Sequence, residues 1–96
     1  MKTKRTKGSA NVFSDLGFGP AEAANLRIRS EMMAALIADI EQRGLTQSRA
    51  ARLLGITQPR VSNLMQGKIQ LFSIDTLVKL LGKAGLRVNF KLTRAA

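Results

Sequence analysis

The chain contains no cysteine, histidine, tryptophan or tyrosine. Those absences remove thiol nucleophiles, imidazole bases, disulfides and zinc sites together. Only six of the 96 residues are acidic. Any catalytic centre would have to be assembled from them, yet Asp15, Glu22, Glu31, Asp39, Glu41 and Asp75 form no recognisable pair or metal motif. The expectation is a protein that is not an enzyme and carries no cofactor. Long apolar runs are also missing. None approaches the roughly 18 residues of a membrane span, and the basic N-terminus lacks the apolar stretch of a signal peptide. A soluble, cytoplasmic protein with no membrane partner is expected. No internal repeat or low-complexity tract is visible.

What the chain does have is positive charge. Sixteen Lys and Arg give a net +10 and a pI near 11.5, a field that attracts polyanions and speeds their encounter. The charge is uneven: residues 1–50 hold eight bases and five acids, net +3, and residues 51–96 hold eight bases and Asp75 alone, net +7. A polyanion should therefore meet the second half. A cationic membrane-surface peptide would also be basic, but it predicts one dominant amphipathic helix with an aromatic face. The sequence, 45% hydrophobic, reads instead as one compact globular domain with several capped helices.

Residues 1–10 carry Lys2, Lys4, Arg5 and Lys7 and no large apolar residue beyond Met1. They read as a mobile basic tail, passive or lying in a minor groove. Residues 11–96 form the single domain. In Asn11 to Gly19, the apolar Val12, Phe13, Leu16 and Phe18 suit an anchored loop. From Pro20 a long helix follows, with Met33, Leu36, Ile37 and Ile40 in one stripe and Gly44 ending it. Thr46 caps a second helix, Gln47 to Leu54, that buries Ala50, Ala51, Leu53 and Leu54. Thr57 caps a third, Gln58 to about Gln66, with Pro59 in its first turn. After a loop from Lys68 to Phe72, Ser73 caps a fourth helix with Ile74, Leu77, Val78 and Leu81 on one face, ending near Gly85. Leu86, Val88, Phe90 and Leu92 alternate with polar residues, the period of a half-buried strand. Such a strand needs a partner from the Val12 region or from a second chain.

The informative stretch runs from Gln47 to Gln66. Ala51 allows two short helices to approach, Gly55 permits the turn between them, and Ile56, Val61 and Leu64 fill the wedge. With Val61, Leu64 and Met65 inward, Gln58, Arg60, Ser62, Asn63 and Gln66 remain for solvent or a groove. Gln and Asn can pair with the adenine edge and Arg with guanine. Arg60 stands between a guanine contact and the DNA backbone. Thr46, Thr57 and Ser73 read first as caps, and a capped helix N-terminus can still hold phosphate. The scarcity of acids near Arg52 and Lys68 favours phosphate contact for both.

The spacing of Ala51, Gly55 and Val61, within LTQSRAARLLGITQPRVSNLMQGK, resembles the helix-turn-helix of the phage-repressor-like, xenobiotic-response-element family. From NVFSDLGF to LRVNF the chain is similar to the small single-domain group that includes HigA-type antitoxins. The resemblance implies a mainly α, four-helix lambda-repressor-like helix-turn-helix domain with a long first helix and a C-terminal β-strand. It implies a homodimeric repressor on a double-stranded DNA operator, in which Gln58 and Asn63 read bases and Gln47 contacts a phosphate. Ser62 and Arg60 complete the candidate base-reading set; Thr46, Gln47, Arg52, Thr57, Gln66 and Lys68 form the candidate phosphate set. Pro59 departs from the polar residue common at its place and removes one candidate reader. The antitoxin resemblance further implies a small RNase toxin as partner and an autoregulated operon, the alternative being a stand-alone phage-type regulator. A basic toxin would need local acids, and five of the six lie in the first half. Leu86, Val88, Phe90 and Leu92 are the candidate dimerisation residues, pairing antiparallel with their copies.

Overall fold

The computed structural model describes residues 16–94. The basic tail, Val12, Phe13 and the strand pairing considered for the Val12 region lie outside the described residues. Among the described residues four α-helices follow one another: α1 (Pro20–Gln42), α2 (Gln47–Leu54), α3 (Gln58–Met65) and α4 (Ile74–Lys83), with one 3-10 turn, Ile69–Leu71, between the last two. Each boundary has a local cause. Pro20 opens α1 in the turn where its missing N–H costs nothing. Thr46, Thr57 and Ser73 each accept a hydrogen bond at the start of α2, α3 and α4, from the amides of Arg49, Arg60 and Thr76 at 3.1, 3.2 and 3.1 Å.

Helix α1 packs chiefly on α4, and α2 pairs with α3. Their shared core runs through Met33, Leu36 and Ile40 of α1, Ala50, Ala51 and Leu54 of α2, Val61 and Leu64 of α3, and Leu77, Leu80 and Leu81 of α4. Phe72, in what the sequence marks only as a loop, is fully buried at its centre. It stands just before the Ser73 cap, and Leu77, four residues into α4, is buried with it. These are the two positions of a hydrophobic staple, which sets the angle at which the chain enters a helix.

Gly55 closes α2 with φ +69°. Its amide and that of Ile56 both donate to the Ala51 carbonyl, at 2.8 and 3.1 Å, so α2 stops and α3 begins within three residues. A side chain here would strain the backbone by about 1–2 kcal/mol. The nearest atom to a new Cβ, Lys83 Nζ at 3.0 Å, ends a flexible chain and can move aside. Gly55→Ala is expected to lower the melting temperature by about 5–15 °C in a thermal melt; an unchanged midpoint would show that the turn tolerates another backbone conformation.

Three expectations are corrected. Among the described residues there is no strand. Leu86 to Leu92 leaves α4 through a bond from the Leu86 amide to the Leu81 carbonyl at 2.8 Å and then follows the surface. A strand exists only by pairing, and the described residues offer the segment no edge. Leu86 and Val88 pack against the core, while Phe90 and Leu92 are 83% and 85% exposed. The stripe of α4 is also rotated: Leu80 and Ala84 are buried, Ile74 is half-buried, and Val78 is 39% exposed. Leu16, expected to dock, is exposed.

Candidate nucleic-acid interface

At about 100° per residue, the buried Val61 and Leu64 fix the orientation of α3. The opposite face holds Pro59, Ser62, Asn63 and Gln66, and Gln58 stands at its edge in the first turn, about 90° from its middle. Gln58, Pro59 and Gln66 are exposed; Ser62 and Asn63 are half-buried. The Gln66 amide donates to Ser62 Oγ at 3.0 Å, leaving the serine O–H free to donate outward. Gln58 and Asn63 make no side-chain hydrogen bond within the described residues, so both amides are free to pair with a donor and acceptor edge such as adenine N6 and N7.

The candidate phosphate residues frame this face. Thr46 and Gln47 stand at the start of α2 and Thr57 at the start of α3, where the leading N–H groups and the helix dipole favour an anion. Arg52 is exposed on α2; Lys68 is exposed just beyond α3. Ion pairs among the described residues join Arg27 to Glu31, Arg43 to Asp39 and Lys79 to Asp75, at 2.9, 3.1 and 3.3 Å. None involves Arg49, Arg52, Arg60 or Lys68. No carboxylate among the described residues therefore neutralises the cations around α2 and α3.

Arg60 is placed differently from the other candidate readers. It lies about 110° round α3 from the middle of the outward face, beside the 3-10 turn. Its Nη1 donates to the Leu71 carbonyl at 2.8 Å, and its guanidinium lies 4.1 Å from the centroid of the Phe72 ring. Withdrawing it would forfeit a charged hydrogen bond of about 1.5–3 kcal/mol and a cation–π contact of about 0.5–1 kcal/mol. A bidentate guanine pair returns about 1–3 kcal/mol. The exchange gives no net drive toward a base. No local sequence signal reveals this tie, since it joins residues eleven apart through a turn.

The dimerisation candidates lie on a separate surface. Val88, Phe90 and Leu92 line an open apolar groove with Ile28 and Met32 of α1 and Ile74 and Val78 of α4. The helix residues of this groove escape a reading that assigns each apolar stripe to the core. The acids proposed to receive a basic partner are thinned by the folding: Glu31 and Asp39 are taken up by Arg27 and Arg43.

Two short capped helices, joined by a left-handed glycine and crossing at small residues, with a polar outward face on the second, make up a helix-turn-helix, the arrangement that places a recognition helix in the DNA major groove. The family model described as a helix-turn-helix domain matches residues 12–93, and the protein belongs to that family. No curated protein matches the chain. No helix among the described residues is long and apolar enough to cross a membrane. The class that fold and family define is a DNA-binding regulator.

Proposed function

We propose that this protein is a sequence-specific transcriptional repressor that binds double-stranded DNA as a homodimer, with α3 as its recognition helix. The carrying observation is the outward face of α3, where the unengaged amides of Gln58 and Asn63 are flanked by cations without carboxylate partners. Gln58, Asn63 and Ser62 face base edges. Thr46, Gln47, Arg52, Thr57, Gln66 and Lys68 face the phosphates of the groove walls and set the register in which the bases are read. Two-fold pairing would set the two α3 helices about 34 Å apart for successive major grooves, and the exposed Phe90 and Leu92 supply the apolar surface for it. In the pair, Leu86 to Leu92 gains an edge that the described residues of one chain do not offer and becomes an antiparallel ribbon.

The roles are separable by measurement. Gln58→Ala and Asn63→Ala each lose about 1–3 kcal/mol of discrimination between a preferred duplex and its single-base variants. Lys68→Ala weakens every duplex alike. Equal losses for Gln58→Ala on preferred and random DNA would remove it from the reading set.

The finer reading, a HigA-type antitoxin that autoregulates its operon and silences a small RNase, is supported by the resemblance of the sequence from NVFSDLGF to LRVNF. A basic toxin would find its negative surface on α1, where Glu22 and Glu41 are exposed and make no ion pair among the described residues.

A further inference from the structure

Two arginines from different helices converge on one turn. Arg29 of α1 donates from Nη1 to the Ile69 and Phe72 carbonyls at 2.9 and 3.4 Å, with its Nε held by Asn25 Oδ1 at 2.7 Å. Arg60 of α3 donates to the Leu71 carbonyl and covers the Phe72 ring. Neither has a carboxylate partner among the described residues. Both cations are spent on backbone oxygens of Lys68–Phe72, and the Lys68 amide ties the same turn to the Asn63 carbonyl at 3.2 Å. The clamped turn leaves Lys68 and Gln70 exposed, and Gln70 makes no side-chain hydrogen bond among the described residues.

We propose that Arg29 and Arg60 are positioning residues that fix this turn beside the recognition helix, so that Lys68 and Gln70 meet the phosphate strand at the groove's edge and Arg60 reads no base. The inference rests on the DNA-binding reading above. Its geometric basis is the fit of a helix to a groove. A helix with side chains is about 10–12 Å across and the major groove about 12 Å wide. A helix lying in it turns its outward face to the bases and its flanks to the phosphates. Arg60 and the turn it holds are on a flank. Gln70, outside every motif in the sequence, enters the interface as a neutral donor to phosphate.

The test uses the full chain and a duplex selected by the wild-type protein from a pool randomised over about 20 base pairs. Affinity is measured across a salt series for that duplex and its single-base variants. Arg29→Met and Arg60→Met are each expected to weaken all duplexes alike by about 5- to 10-fold and to flatten the log–log salt slope by about 1.8, the signature of two lost phosphate contacts, one from each protomer. In a Lys68→Ala background the further change in slope should vanish, because the contact being positioned is already gone. Gln70→Ala, a substitution at an exposed site that leaves the clamp intact, should weaken all duplexes by about 2- to 10-fold with the slope unchanged. It carries the test if an arginine variant fails to fold. Loss of preference at one base pair in Arg60→Met would overturn the assignment and make Arg60 a reader. So would an unchanged affinity and slope in folded Arg29→Met, or an unchanged affinity in Gln70→Ala. A wild-type protein that selects no duplex would overturn the DNA-binding reading itself.

Discussion

Affinity for duplex DNA is expected to fall about 10³- to 10⁵-fold between 50 and 200 mM salt, as it does when six to ten phosphates are neutralised. In a dimer this requires about three to five contacts per protomer. The proposed set of Thr46, Gln47, Arg52, Thr57, Gln66 and Lys68 covers that range with Arg52 and Lys68 as its cations, and the second half of the chain holds one acid, already engaged by Lys79. Counterion release, rather than direct attraction, sets the steepness: each phosphate covered by a cation returns condensed ions to solution, and the gain shrinks as bulk salt rises. A titration by fluorescence anisotropy on a fixed duplex measures it. A flat response would remove phosphate contact as the main source of affinity and, with it, the significance of the acid-poor surface.

Features written within a few residues were legible in the sequence. The caps at Thr46, Thr57 and Ser73 and the glycine turn at Gly55 need no more than a local window, and the helices begin where those residues place them. The outward face of α3 was legible for the same reason, since Val61 and Leu64 fix it by helical period alone. Contacts that join distant parts of the chain were not. Arg29 reaches Ile69 across forty residues, and nothing in the order of the residues reveals that a guanidinium ends on a backbone carbonyl. Phe72 stands between, because the staple formed with Leu77 is a local pattern that could have marked it as core.

The apolar residues of α4 were misassigned for a different reason. Ile74, Leu77, Val78, Leu80, Leu81 and Ala84 make a band wider than one contact requires. Periodicity identifies the band but does not divide it between the core and a second surface. The fold gives Leu77, Leu80, Leu81 and Ala84 to the core. Val78, with Ile74, is left beside Phe90 and Leu92. That surplus is the physical argument for a partner.

Replacing Phe90 and Leu92 together with Asp is accordingly expected to yield a folded monomer by analytical ultracentrifugation, whose melting temperature no longer rises with protein concentration as the dimer's does. Both side chains are more than four-fifths exposed in the single chain, so the fold loses little by the change. Affinity for a two-fold site should fall about 10²- to 10⁴-fold, the advantage that linkage gives to a second binding event, while affinity for an isolated half-site stays within a few-fold. Salt separates the two associations by sign. Two chains of net +10 repel each other, so screening strengthens an apolar dimer while it weakens the grip on DNA. The wild-type dimer should therefore tighten, or hold, over the salt range in which DNA is released. A double variant that remained a tight dimer would place the interface elsewhere, and a dimer that dissociated with rising salt would show that charge pairing, rather than Phe90, Leu92 and the groove beneath them, holds the two chains together.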